Sequence, residues 1–327
     1  EGADEYPSAE LLGKSGRRFL VCPGTSSWNT LFPRIDNANQ NIRTYAREAV
    51  EHGAVGLLNT DWGDHGHYQP LGQSWYGYAF GAAQAWTGGT TPDEAFDPAF
   101  GRLFFGPAQG EAVVAAMRRL AAVNRLPGIL RRNASHTAYA LFDEPLMGRM
   151  VNELPSESID ELVRAGREAE AVFAGAAAGN REELALREMA FSARLIREAG
   201  EKVGLSQRIR SGWALIAEGG YKKEDALLEI GRWLSALDAR WETLLNLRRE
   251  FAEIWQARAK PGGMEDTLRH YRATLARYDA AAHWLRRQRQ ALQAGQPLDK
   301  DLSGYGPVEY RILWERTFET TNSPDAL

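Results

Sequence analysis

The chain has 327 residues, 44% hydrophobic and 25% charged, the balance of a globular protein with one large domain or two ordinary ones. A net charge of -4, a pI near 6.0 and the lack of any long basic run argue against nucleic acid as the main partner. No apolar stretch approaches the roughly 20 residues a membrane crossing needs, and the single cysteine, Cys22, precludes an intrachain disulfide and fits a reducing, cytoplasm-like compartment.

The chain opens on Glu1 rather than Met, without a signal-peptide pattern, and reads as a piece of a longer polypeptide. Residues 1 to 16 are polar, with a short helix expected near Ala9 to Leu12. Arg18 to Cys22 is an apolar run of strand length, ended by Pro23-Gly24 and followed by Thr25-Ser-Ser-Trp-Asn29. Asp36 to His52 repeats Ile42, Tyr45, Ala46 and Val50 at helical spacing, with Asp36 or Asn37 as the expected cap and Gly53 as the stop. Val55 to Leu58 is a second run of strand length. Strand, helix, strand is one βαβ unit, so the strands are expected to be parallel with both polar loops at one end.

Ser74 to Trp86, rich in aromatics and alanine, reads as a helix. Residues 90 to 106, with Pro92, Pro98 and several phenylalanines, read as a turn-rich hinge. Beyond Gln109 helix formers dominate. Helices are expected at Glu111 to Asn124, Ser158 to Ala174, Arg181 to Ala217, Lys223 to Ala259 and Met264 to Ala294. In the fourth, Leu227, Ile230, Leu234, Leu237, Trp241, Leu244, Phe251 and Trp255 line one face. Long helices with short polar links imply an antiparallel bundle, onto which Tyr310, Leu313 and Trp314 are expected to pack.

The chemistry concentrates after the second strand, where Asp61, Trp62, Asp64, His65, His67 and Tyr68 fall within eight residues, broken by Gly63 and Gly66. Three readings fit. Carboxylates and imidazoles at this density can hold a divalent cation, although neighbours on a strand end point different ways. The Asp residues can instead cap loop amides while the His residues pack. Or the stretch is a sugar site: Trp28, Trp62, Tyr68 and Trp75 offer flat faces for a pyranose, and Asp64 accepts its hydroxyls.

Cys22-Pro-Gly-Thr-Ser-Ser-Trp-Asn29, Asn41-Ile-Arg43, His52-Gly-Ala54 and Leu58-Asn-Thr-Asp-Trp-Gly-Asp-His-Gly-His67 together resemble family 20 glycoside hydrolases, closest to bacterial β-N-acetylhexosaminidase-like members with a helical C-terminal region. The likeness covers residues 1 to about 106. It implies α/β plus all-α architecture: the C-terminal part of a (β/α)8 TIM barrel, with Arg18 to Cys22 as strand seven and Val55 to Thr60 as strand eight, then an antiparallel helical bundle from residue 107 to 327. It implies an exo-acting hydrolase of terminal N-acetylhexosamine working by a substrate-assisted, retaining mechanism without cofactor or metal. Trp28, Trp62 and Asp64 would bind the sugar, with Asn29, Asp61, His65, His67 and Tyr68 behind them. Trp62-Gly-Asp64 matches the family's tryptophan-any-acid motif, with Asp where many members have Glu.

The family's catalytic Asp-Glu pair ends strand four. Asp4-Glu5 lies only some dozen residues before Arg18, too close for that strand, and looks like the loop after strand six. The acid pair and the N-terminal part of the barrel are therefore expected upstream, and the implied partners are an amino-sugar glycoside and that missing part, not nucleic acid or membrane. The alternative is a non-catalytic helical interaction domain carrying a degenerate sugar-binding remnant.

Overall fold

The computed structural model describes residues 2–63, 66–302 and 305. In chain order its elements are α1 (Pro7–Lys14), β1 (Leu20–Val21), α2 (Ile35–Glu51), β2 (Gly56–Leu57), α3 (Trp75–Thr87), α4 (Asp93–Phe100), α5 (Gly110–Ala121), β3 (Leu130–Arg131), β4 (Ala134–Ser135), α6 (Thr137–Phe142), α7 (Arg149–Glu153), α8 (Ser156–Ala177), α9 (Glu183–Ala217), α10 (Lys223–Arg258) and α11 (Met264–Ala294).

The expected fold class is corrected. Among the described residues 69% are helical and 3% strand, with two small two-stranded sheets, so the fold is mostly all-α and not a TIM-barrel portion plus a bundle. The apolar runs at Arg18 to Cys22 and Val55 to Leu58 do pair in parallel, Leu20 with Gly56 and Val21 with Leu57. They yield only two ladder residues each. Parallel sheets normally have both faces covered. Here Phe19 and Val21 pack with Tyr45, Ala49, Ala54 and Leu57, while Leu20 and Leu58 stay 51% and 55% exposed. Pro23, with no N–H to donate, closes the first run.

The chain divides into two compact units. Unit 1 comprises residues 1–126, 130–135 and 164–194. Its centre is α2, which buries Ile35, Ala38, Ile42 and Ala46 at spacings of three and four. Each such fully buried aliphatic side chain contributes roughly 1.5–3 kcal/mol, less for alanine. Neither Asp36 nor Asn37 caps it. Arg34 holds the cap position without a side-chain capping bond to the helix, while Asn37 donates to the Ser26 hydroxyl at 2.7 Å and Asp36 is drawn to Arg118 and Arg125.

The expected hinge at 90 to 106 contains a helix. Pro92 sits at the N-cap of α4, where its missing N–H costs nothing, and Asp93 and Glu94 suit the positive end of the helix. The phenylalanines read as a loop cluster form its core. Tyr76 meets Phe96 and Phe100 edge-on at 5.3 and 5.2 Å, and Phe80 meets Phe96 at 5.0 Å.

A polar knot lies over that core. Arg118 of α5 donates to Asp97 (2.8 Å), Asp93 (3.0 Å) and the Tyr76 hydroxyl (2.7 Å), and its guanidinium stands over the Tyr76 ring at 5.3 Å. Arg43 of α2 also pairs with Asp93, and Tyr76 donates to Asp97 at 2.6 Å. Burial opposes ionisation of Asp93, but Asn39, Arg118 and Arg43 outweigh it and hold the carboxyl below its usual range. Burial pushes the Tyr76 hydroxyl far up, so it remains a donor.

Unit 2 comprises residues 127–129, 136–163 and 195–327. Its helices α10 and α11 form an antiparallel hairpin: Lys223 Nζ reaches the Gln293 carbonyl at 2.8 Å at one end, and Phe251 meets Tyr271 at 5.8 Å toward the other. On α10, Ile230, Leu234, Leu237, Leu244 and Phe251 are buried as the periodicity requires, joined by Trp233, Leu247 and Ile254; Leu227, Trp241 and Trp255 are only half-buried. Tyr310, Leu313 and Trp314 lie outside the described residues.

Arg118→Ala should destabilise the chain by roughly 2–4 kcal/mol, because it leaves two partly buried carboxylates without their main cation. Urea unfolding measures this. A change under about 0.5 kcal/mol, typical of a plain surface substitution, would show the knot to be incidental.

Candidate functional site

The paired strands continue as a short parallel ladder into their polar loops. Thr60 N donates to the Pro23 carbonyl at 2.8 Å, and Thr25 N donates to the Thr60 carbonyl at 2.9 Å. This register sets Thr25 beside Asp61, and the Thr25 hydroxyl donates to Asp61 Oδ1 at 2.8 Å. Asn41 of α2 anchors the first loop by accepting the Gly24 N–H at 2.9 Å. From the other side α3 comes close enough that a Cβ on Gly81 would stand 2.2 Å from Asn59 Nδ2, so any side chain there would displace Asn59. That approach brings the Tyr78 hydroxyl to 3.4 Å from Asp61 Oδ2. Burial, then Asp61, pushes the Tyr78 pKa up to about 12, which keeps it protonated as a donor.

Two tryptophans flank this centre. The Trp28 ring lies across Gly24: a Cβ there would stand 2.6 and 2.8 Å from its ring carbons and 3.1 Å from Thr60 Oγ1. Trp28 is nearly buried, its Nε1 donating to Asn133 at 2.8 Å and the Arg34 guanidinium standing 5.6 Å from its ring centre. Trp62 Nε1 lies 3.3 Å from the same Thr60 hydroxyl, but the ring is 58% exposed. Trp75, also exposed, meets Tyr78 edge-on at 6.1 Å.

The structure thus brings together Trp28, Asp61 and Trp62. It does not gather every residue expected there. Asn29 is buried with φ 52, and its carbonyl accepts the Ser135 N–H at 3.0 Å, a loop-fastening role. His67 turns its Nδ1 to the Gln69 carbonyl, and Tyr68 is in the core. Asp64 and His65 lie outside the described residues. Among the described residues no three His, Cys, Asp or Glu side chains are placed to share a cation. Asp4 and Glu5 are exposed; Asp4 accepts Gln40 Nε2 at 3.0 Å, and its carbonyl accepts Arg47 at 2.8 Å.

Thr25, Thr60 and Tyr78 were not singled out from sequence. Their link to Asp61 depends on strand register and helix approach, which periodicity does not encode. No protein-family model matches the chain, and no curated protein matches it significantly.

Unit 2 holds a second carboxylate pair that the sequence reading passed over, Asp143-Glu144, just after α6. The Asp143 carboxylate accepts the N–H groups of Glu144 (2.7 Å) and Met150 (3.1 Å). That of Glu144 accepts those of Leu146 (3.1 Å) and Met147, and the Tyr305 hydroxyl as well. The fully buried Lys202 donates to the carbonyls of Ala140 (3.2 Å) and Asp143. Burial pushes Glu144 up to about 7 against the pull of those amides, and burial brings Lys202 down to about 8. Both carboxylates are occupied by their own turn, so the pair fastens residues 143–150.

Because the folded pKa of Glu144 is raised, the folded chain holds a proton that the unfolded chain gives up between pH 4.5 and about 7. This favours the fold below pH 4.5 and is lost as pH rises to 7. The loss is of order 3 kcal/mol at most. Glu144→Gln should flatten the fall in unfolding free energy between pH 5 and 7. An unchanged slope in urea titrations would contradict the assignment.

Proposed function

We propose that the chain supplies the sugar-binding part of a glycoside hydrolase that removes terminal N-acetylhexosamine by a substrate-assisted, retaining route. The observation that carries this is the strand-end cluster, where a carboxylate that already accepts two hydroxyl donors stands beside an exposed indole. Asp61 takes Thr25 and Tyr78 as a sugar-binding acid takes sugar hydroxyls, and Trp62 offers the apolar face that a pyranose ring stacks on. The likeness of Trp62-Gly-Asp64 to the family 20 motif supports the same reading and assigns Asp64 to the outer hydroxyls of the sugar.

The acid that protonates the leaving group then comes from polypeptide outside the described residues. Neither Asp4-Glu5 nor Asp143-Glu144 suits that task, the first being exposed and engaged by α2, the second occupied by its own turn amides. The same fact favours a second reading, a sugar-binding module without catalysis.

Calorimetric titration with N-acetylglucosamine should show binding by the wild-type chain. Trp62→Ala and Asp64→Ala should each weaken it on the order of ten- to a hundredfold, the cost of losing a hydrogen bond to a charged group or a stacking face. Their melting temperatures should stay near wild type. Unchanged affinity in both variants, or no binding by the wild type, would remove the sugar site. Turnover of an aryl β-N-acetylglucosaminide by the chain alone would show that the acid is within it.

A further inference from the structure

A cavity of about 280 Å³ opens in unit 1 where α2 begins, between the end of α5 and the β3–β4 hairpin. Three arginines from three separate elements line it: Arg34 before α2, Arg125 after α5 and Arg131 on β3. One carboxylate, Asp36, shares the lining, with the amides of Asn37 and Gln40. The lining therefore carries three positive charges and one negative in a chain whose net charge is -4. We propose that this cavity binds a tetrahedral oxyanion, a phosphate or sulfate group, either free or carried on a small molecule.

The three arginines differ in how firmly they are held; Arg131 Nη1 donates to the Leu130 carbonyl at 3.3 Å. Arg34 is 5% exposed and stands 5.6 Å from the Trp28 ring centre. Arg131 sits on a hairpin whose Asn133, in the left-handed region at φ 55, accepts the Trp28 indole N–H at 2.8 Å. Arg125 reaches in from solvent, its Nη1 3.0 Å from Asp36 Oδ2. Asp36 has its other oxygen 3.3 Å from Arg118, so it serves two cations and does not neutralise the site. A planar carboxylate is satisfied by one bidentate arginine, whereas a lining with three arginines from separate elements suits an anion with three or four oxygens. The volume sits at the lower end of small-molecule sites, about 300 Å³, which is enough for the anion and a short attached group.

This site stands apart from the sugar reading and is tested without sugar. The full chain is titrated calorimetrically at low salt with inorganic phosphate, inorganic sulfate, glycerol 3-phosphate and acetate. Phosphate and sulfate should bind, more weakly as salt rises, and acetate should bind less well than either. Arg125→Gln and Arg131→Gln should each weaken phosphate binding roughly tenfold, as for loss of a hydrogen bond to a charged group. Asp36→Asn should tighten it severalfold by freeing Arg125. Tighter binding of glycerol 3-phosphate than of phosphate supports an esterified ligand; the reverse order supports the free ion. No binding of either ion by the wild type overturns the proposal. So does unchanged affinity in both arginine variants with native circular dichroism, or weaker binding in Asp36→Asn.

Discussion

The parallel pairing of β1 and β2 is the constraint on which the rest of unit 1 depends. Only two residues of each strand are in the ladder, yet its continuation through Pro23, Thr25 and Thr60 decides which side chains meet at the strand ends. A shift of one residue would turn Thr25 and Asp61 to opposite faces and dissolve the cluster. The helix α2 enforces that register twice. Its Tyr45 and Ala49 pack against Phe19 and Val21, and its Asn41 holds the Gly24 N–H. Burial and hydrogen bonding thus act on the same few residues, and the site is a product of the core beneath it.

Charge is handled differently in the two units. In unit 1 the Arg118 knot ties α2, α3, α4 and α5 through half-buried ion pairs, each of which brings its own counter-charge. In unit 2 a few ionisable groups, Asp143, Glu144, Glu198 and Lys202, are almost fully enclosed. Lys202 there is held by carbonyl oxygens, and Asp143 and Glu144 by backbone amides and a tyrosine hydroxyl. Arg240 joins Glu198 and Glu201 across α9 and α10, yet burial still pushes Glu198 up to about 8. Burial moves Glu144, Glu198 and Lys202 toward neutrality, so each couples folding of unit 2 to pH in that range.

Much of the helical organisation was legible in the sequence, because long periodic stretches such as α10 and α11 state their buried face directly. The element α4 was not, since Pro92 and Pro98 read as breakers while its stability comes from Tyr76, Phe80 and Arg118 on other helices. The cap of α2 was misread for a similar reason: Asp36 and Asn37 have distant partners that win over the local amides. The barrel reading failed because two strand-length runs cannot show how many neighbours they have. For the site, Trp28, Asp61 and Trp62 stood out by composition. Their shared neighbours Thr25, Thr60 and Tyr78, and the convergence of Arg34, Arg125 and Arg131, arise from contacts far apart in sequence and carry no local pattern.

The central proposal is that the strand ends form a sugar-binding surface at the exposed Trp62, with the nearly buried Trp28 directly behind it. The indole N–H resonances of the chain report on it directly, because Trp28 and Trp62 each donate from Nε1 next to the cluster, to Asn133 and Thr60. During titration with N-acetylglucosamine, the account predicts that these two resonances shift together along one binding curve while those of Trp213 and Trp284, which donate to Asp299 in unit 2, stay fixed. Shifts confined to Trp213 and Trp284, or no shift at Trp62 at saturating sugar, would contradict it.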